Sequence, residues 1–481
     1  MARINTNVGA IIANTNLQKS QAALSTSLQR LSSGLRINSG ADDPAGLIAS
    51  ESLKSEIQGI NTAIDNSTQA TNMISTADAA LGEVSNLLVS IKGLVVQAAN
   101  TGAMSPDEIQ ANQLQVDSAI ASITRISNST TFGGLQLLNG SLGYITSGVT
   151  TSAVHDLSIN NAAFGTATTI PVVVNVITSA QPAQLKFLQS SISNDTTIDI
   201  AGSTGTQEFS FVAGTKASAI AFQINRASDS TGVAAKLNSA TNLSSGIAFV
   251  STGFGSSQFV SVQAVGKGPG AQAFSTSDVN GNSEVRTIGR DAVATINGAK
   301  ASANGNSVSL NTANLSLSLN LDSAFGLGSE RFTITGGGAV FQLGAQVQSN
   351  QQVSIGIGSV AASKLGDAAD GYLTDLVTGG VAALATDPAK ASNIIDAAIN
   401  QVSVLRGRLG AFEKNTLQTN ISSLQVALEN VTSSESSISD TDFAAETSNL
   451  TRAQILVQAG TTVLSQANST PKTVLSLLQG H

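Results

Sequence analysis

Stepping alternately by three and four residues from Leu450 lands on Leu450, Ala453, Val457, Gly460, Leu464, Ala467, Pro471, Val474 and Leu478. Small and branched apolar residues at that spacing form the a/d seam of a long helix, and a lone helix cannot keep such a seam dry. The opposite end of the chain carries a matching pattern. Leu17, Leu24, Leu28, Leu31 and Leu35 keep the same rhythm, preceded in a shifted phase by an apolar stripe at Ile4, Val8 and Ile11. The two ends are therefore expected to pair, with the middle of the chain hanging from them.

The helical pattern continues inward from both ends. Asp42 or Asp43 can cap a helix that opens at Pro44, whose missing N–H would have no partner in a first turn. Ala77, Leu81, Val84, Leu88, Ile91, Val95 and Ala98 then alternate four and three. The turn NTGAMSPDE breaks the pattern, and Pro106 opens a second helix carrying Ile109, Val116, Ile120 and Ile123, which ends near Asn128. Helical text returns after Gly366, where Ile395, Ala398, Val402, Leu405, Leu409 and Phe412 keep the seam. It slips by one position and resumes as Leu417, Ile421, Leu424, Leu428 and Val431. Such a slip changes the local supercoil without ending the helix. The polar stretch SSESSISDTD then turns the chain into its final segment, where Asp440, Asp442 and Glu446 suit the positive end of a helix dipole.

Between residues 130 and about 360 the period falls to two and glycine punctuates the text. TIDIAGSTGTQEFSFVAG reads as two strands, 216–230 as a short helix and TGVAAKL as another strand. FVSVQAVG, VSLNT, LSLSLNL, RFTITGG and VSIGIG continue the series, separated by turn signals. The fold expected is mainly α with an inserted β-rich lobe (α+β), its helical-bundle and coiled-coil ends paired N-terminus to C-terminus. Three domains follow: terminal helices at 1–41 with 441–481, a helical domain with β-hairpins at 42–178 with 342–440, and an outer β-rich insert of one or two subdomains at 179–341.

A length of 481 residues fits this division, since domains average roughly 100–200 residues. Charged residues make up 11% of the chain, against about 25% in ordinary soluble proteins. A surface of Ser, Thr, Asn and Gln lets copies approach without charge repulsion, which favours self-association. The net charge of −8 argues against nucleic acid as a partner. The absence of cysteine excludes disulfides and zinc–thiolate clusters. No unbroken apolar run reaches the ~20 residues of a membrane span. Within MARINTNVGAIIANTNLQKS only VGAII is apolar, so an exported chain is expected to use a route other than a conventional signal peptide. Residues 1–41 hold Arg3, Lys19, Arg30 and Arg36 and no acid. Their polar face is nevertheless Ser, Thr, Asn and Gln rather than the Lys- and Arg-crowded face of a lipid-binding helix, which points to helix–helix packing.

INTNVGAIIANTNL, SLQRLSSGLRINSGADDPAGLIAS, FQLGAQVQSNQQVSIGI, RLGAFEKNTLQTNISSL, DTDFAAETSNLTRAQILVQAGTTVLSQAN and the closing P-x-x-VLSLL resemble the terminal signatures of bacterial flagellins. The resemblance covers roughly residues 1–140 and 340–481. In the insert, DIAGSTGTQEFSFVAG with AIAFQINRASDSTGVAAKL is similar to a repeat of hook-associated proteins and large flagellins. The family resemblance implies a filament subunit of swimming motility, exported partly unfolded through the flagellar type III channel and located outside the cell. It implies a chaperone on the C-terminal helix, hook-associated and cap proteins as further partners, and a filament core of concentric terminal helices. The alternative within the same apparatus is a hook–filament junction protein. One stretch departs from the family. Where many flagellins carry LQRVRELAVQ, read by a vertebrate Toll-like receptor, this chain has Ser90, Lys92 and Gly93 at the two arginine positions and the glutamate position, while Leu94 remains. Lysine does not replace arginine in bidentate recognition, so weak receptor stimulation is expected.

Enzyme readings fare poorly. Gly356, Gly358 and Ala361 have G-x-G-x-x-A spacing, with Asp375 about twenty residues on. A dinucleotide fold needs that acid at the end of a second parallel strand, whereas DGYLTDLV opens a helix. VGKGPGAQAF lacks the Lys-Ser/Thr of a phosphate loop. His155 and His481 are the only histidines and neither lies in H-E-x-x-H. The paired aspartates at 42–43 have a capping explanation. No catalytic residue, cofactor or metal is expected.

Overall fold

The computed structural model describes residues 6–239, 245–266 and 274–479. Its longer helices are α1 (Val8–Ser33), α2 (Pro44–Ala98), α3 (Pro106–Ser129), α4 (Ala217–Asn225), α5 (Pro388–Phe412), α6 (Thr419–Ser439) and α7 (Phe443–Gln479). The chain forms two compact units. The first takes the residues up to Ala70, Gln342–Val347 and those from Lys414 onward, and the second takes Thr71–Phe341 and Gln348–Glu413.

In the first unit the helix ends are set by local chemistry. The Asn7 side chain accepts the Ala10 N–H at the start of α1, and Gly34, in the left-handed region, closes its end through an N–H to the Arg30 carbonyl. Asp43 accepts the Gly46 N–H at the start of α2, 2.9 Å away. Asp42 accepts the Asn38 and Ser39 N–H groups at 3.1 and 2.8 Å. Hydrogen bonds from Ser39, its backbone N–H first, hold the Asp42 carboxyl below the usual carboxylate range. Both aspartates of the pair thus serve backbone N–H groups left over by the turn and the helix start. Farther along α2, Ser50 donates to Glu435 of α6 at 2.8 Å, and Asn420 donates to the Leu343 carbonyl at 2.8 Å and to Ser67 at 3.2 Å.

The slip in the C-terminal seam has a structural counterpart. Residues Glu413–Gln418 form a π-helical segment that joins α5 to α6 without a break. One π turn spans five residues, the spacing from Phe412 to Leu417, and Leu417 is fully buried. The wide turn absorbs the extra residue and returns the apolar stripe to the same face.

The second unit contains a helical bundle and two β cores. In the bundle, Ala77, Leu81, Val84, Leu88, Ile91, Val95 and Ala98 of α2 are buried together with Val116, Ile120 and Ile123 of α3 and Ile395, Ala398, Val402, Leu405 and Leu409 of α5. Asp78 receives Arg406 at 2.9 Å. The α3 start is a capping box in which Ser105 and Glu108 exchange side-chain and backbone bonds. One 18-residue stretch of α2 is apolar enough, by length and composition alone, to cross a membrane, although polar residues interrupt its apolar run. Of that stretch 28% is buried.

The first β core lies between a five-stranded sheet, in the order Ala299–Lys300, Val293–Ile296, Ile170–Thr178, Gly328–Gly337 and Tyr144–Ser147, and a four-stranded one, in the order Ser302–Asn304, Ser307–Asn311, Leu315–Leu321 and Val154–Ala162. Strict alternation in LSLSLNL buries Leu315, Leu317, Leu319 and Leu321 on one face. The second core packs α4 with a four-stranded sheet (Arg286–Ile288, Phe259–Val265, Thr196–Gly202, Thr206–Phe211) and a three-stranded one (Gln184–Phe187, Ile247–Ser251, Val233–Leu237).

Two expected boundaries move. Ile170–Thr178 pairs along its length with Gly328–Gly337, so a boundary at residue 178 would cut through a sheet. Pairing between strands far apart in sequence places 144–178 with the later β text, and alternation within each strand does not report its partner. The first unit likewise extends past residues 41 and 441, because the α2 and α6 contacts prolong the helical pairing.

Candidate assembly interface

The first unit brings the two ends of the chain together as an antiparallel helix pair. Asn7 donates to the Ala467 carbonyl at 2.7 Å. At the other end the Thr441 N–H donates to the Gly34 carbonyl at 2.9 Å, and the Arg36 N–H to the Ser439 carbonyl at 2.6 Å. Arg36 adds its guanidinium to the Ile438 carbonyl through Nε at 3.1 Å and Nη2 at 2.6 Å, covering the last carbonyls of α6. Between these ties Leu17 is buried at 8% exposure and Ala453 at 4%. A Cβ built on Gly460 would stand 3.2 Å from Leu17 Cδ1, so a side chain at 460 would press on Leu17 and glycine leaves that contact relaxed.

On α7, Leu450, Val457, Gly460, Leu464 and Ala467 are half-buried and Ala453 is buried. The side chains of Val474, Leu478 and Pro471 lie outside the described residues, as do Ile4 and His481, although the backbone stays helical to Gln479. On α1 the seam differs from the leucine reading. Leu17, Leu24 and Leu31 belong to it, but the intervening positions are Ala10, Ala13, Ser20 and Ser27, with Ala13 and Ser27 buried. Leu28 is 51% exposed, Val8 and Ile11 are exposed, and Leu35 is half-buried in the link beyond the helix. Leucine size misled the reading. An alternation of three and four through the small residues Ala13 and Ser27 was the available signal.

Among the described residues one ion pair joins the helices. Arg30 Nη1 lies 3.7 Å from Glu446 Oε2, and the Glu446 side chain is 9% exposed. Glu446, expected to serve the helix dipole, therefore also answers a cation on α1. Asp442 takes the cap, accepting the Ala444 and Ala445 N–H groups at 2.9 and 3.1 Å.

The altered receptor stretch lies on α2 in the second unit. Ser90 and Gly93 are exposed and Leu94 is half-buried. Lys92 reaches α5, with Nζ 2.5 Å from Asp396 Oδ2 and 2.7 Å from Ser392 Oγ. The decoy sites find ordinary places. Gly356–Ala361 follows a strand but leads into irregular chain, and Asp375 accepts the Tyr372 N–H at 2.9 Å beside a 3₁₀ turn. His155 Nε2 meets Asp322 Oδ2 at 2.9 Å. Most of VGKGPGAQAF lies outside the described residues.

The paired helical chain ends, with small residues at their contact, carry a β-rich middle, the architecture of a structural protein rather than of a catalytic pocket. Residues 4–142 match the bacterial flagellin N-terminal helical region, 392–478 the bacterial flagellin C-terminal helical region, and 185–253 the flagellin hook IN motif. The chain is 30% identical over 507 residues to a flagellin of Salmonella rubislaw and 31% identical over 530 residues to the B-type flagellin of Pseudomonas aeruginosa, each match covering 99% of both chains. A flagellin of Escherichia coli is 29% identical over 532 residues, again with 99% of both chains covered. The chain belongs to the bacterial flagellin family, a family of structural proteins, and is a subunit of the bacterial flagellar filament.

Proposed function

We propose that copies of this chain polymerise through a second apolar face on each terminal helix. The supporting observation is that α1 and α7 hold one seam against each other and still leave Val8, Ile11, Ile12 and Leu28 on α1, and Ile455, Leu456 and Val463 on α7, exposed. Exposed apolar residues on both of the paired helices of a weakly charged chain are best explained by burial against further copies. In this reading the terminal pair makes the filament core, the bundle a surrounding shell, and the β lobes the outer surface. The subunit itself does no chemistry. It leaves the cell by the flagellar type III route, its C-terminal helix covered by an export chaperone until it reaches its neighbours and the cap and hook-associated proteins.

Ordering coupled to assembly gives the test. Limited proteolysis of dilute monomer is expected to cut within 443–479 at least tenfold faster than in sedimented filaments. Equal protection in the two states would overturn the proposal.

The same reading assigns the weak match at Ser90–Leu94 to receptor evasion. Restoring the family pattern with S90R, K92R and G93E is expected to raise activation of a Toll-like receptor reporter at least tenfold. Arginine at 92 retains the reach to Asp396, so the bundle should keep its melting temperature. An unchanged reporter signal from a folded triple variant would show that those positions do not limit recognition.

A further inference from the structure

A cleft of about 650 Å³ opens in the second unit between α5 and the strand face that carries Asp156, Ser158 and Asn320. Its most unusual wall is Arg408. The guanidinium donates to the Gly356 carbonyl through Nη2 at 2.9 Å, and no carboxylate among the described residues lies within ion-pair distance of it. Burial lowers its pKa to about 10, which still leaves it charged at neutral pH. A half-buried cation with no counter-ion among the described residues is unfavourable, and an anion brought in from solution relieves it. Lys364, a second cation without a described ion pair, lines the same cleft. Asn400 supplies both donors and acceptors, Asn320 donates through Nδ2 to Asp156 Oδ2 at 3.1 Å, and the other oxygen of the Asp156 carboxylate is an acceptor suited to hydroxyl groups.

We propose that this cleft is a binding site for a sugar acid, with the ligand carboxylate on Arg408 and Lys364 and its hydroxyls on Asp156, Ser158 and Asn320. The volume is that of a small-molecule site and exceeds what an inorganic oxyanion fills. Two cations against one carboxylate select an anion, and the ring of hydroxyl and amide partners selects a polyhydroxylated one. A neutral sugar lacks the group that compensates Arg408.

Calorimetric titration of the full-length monomer with galacturonate, galactose and inorganic phosphate tests this assignment. Saturable galacturonate binding is expected in the millimolar range or tighter, at least tenfold tighter than galactose or phosphate, and weakened at least tenfold in K364Q and R408Q. Lys364 is exposed, so K364Q tests the site even if R408Q fails to fold. No saturable galacturonate binding overturns the proposal. So does equal binding of phosphate, which would indicate an adventitious ion only, and so does unchanged affinity in folded K364Q.

Discussion

Subunits carrying Val457→Asp and Leu464→Asp are expected to form no filaments when seeded at concentrations where the unaltered chain polymerises. Both side chains are half-buried on the α7 face that meets α1. Continuing the register of Leu17 against Gly460 puts Leu464 at the level of Ala13 and Val457 at the level of Ser20. Neither partner offers a cation. A carboxylate placed in such a seam costs about 2 kcal/mol or more, and two together shift an association equilibrium roughly a thousandfold. Isolated helices of this kind are marginal without packing, so loss of the seam removes the ordered ends rather than loosening them. The second unit, with its own bundle and β cores, should keep its melting transition. Sedimentation and negative-stain micrographs give the readout. Filaments from the double variant at the ordinary critical concentration would show that the α1–α7 seam does not support assembly.

The second large effect is expected in the lobe built from residues 183–262. Gly246→Val should lower its melting transition by about 15 °C, equivalent to roughly 3 kcal/mol in a small domain. Gly246 sits at φ +79°, and a Cβ there would stand 2.0 Å from the Phe187 carbonyl oxygen, with Leu188 backbone atoms at 2.9 Å. Backbone cannot yield as a flexible side chain can, and a β-branched residue is disfavoured at positive φ. Strand Gln184–Phe187 must therefore part from Ile247–Ser251, opening the core around Phe187, Ile247 and Phe249, all fully or almost fully buried. Calorimetry should show this transition fall while seeded polymerisation proceeds, because no seam residue changes. An unchanged transition in the variant would mean that the two strands are not held as described.

These expectations rest on different kinds of legibility. The α7 seam could be read directly because a 3.5-residue repeat has one geometric meaning on a helix, and Gly460 fell on it by count. The capping of α2 was equally plain, since Asp, Asp and Pro in succession answer the unsatisfied N–H groups of a first turn. The one-residue slip after Phe412 announced an irregularity but not its form, and a π turn was among several ways to absorb it. On α1 the same counting went astray because leucines drew attention from Ala13 and Ser27. A close antiparallel contact prefers small residues where the backbones approach, and which face approaches is a property of the pair.

The sequence alone determined the helical ends, the β-rich middle, the family and the absence of a recognisable catalytic pattern, because each rests on local periodicity, spacing or long contiguous motifs. Tertiary structure alone decided that 144–178 shares sheets with strands from 293–337, that Glu446 answers Arg30, that Lys92 bonds across to Asp396, and that Arg408 faces a cleft with no counter-ion among the described residues. Each of those depends on residues tens to hundreds of positions apart. Short-range pattern records which side of an element is apolar, and only packing determines what that side meets.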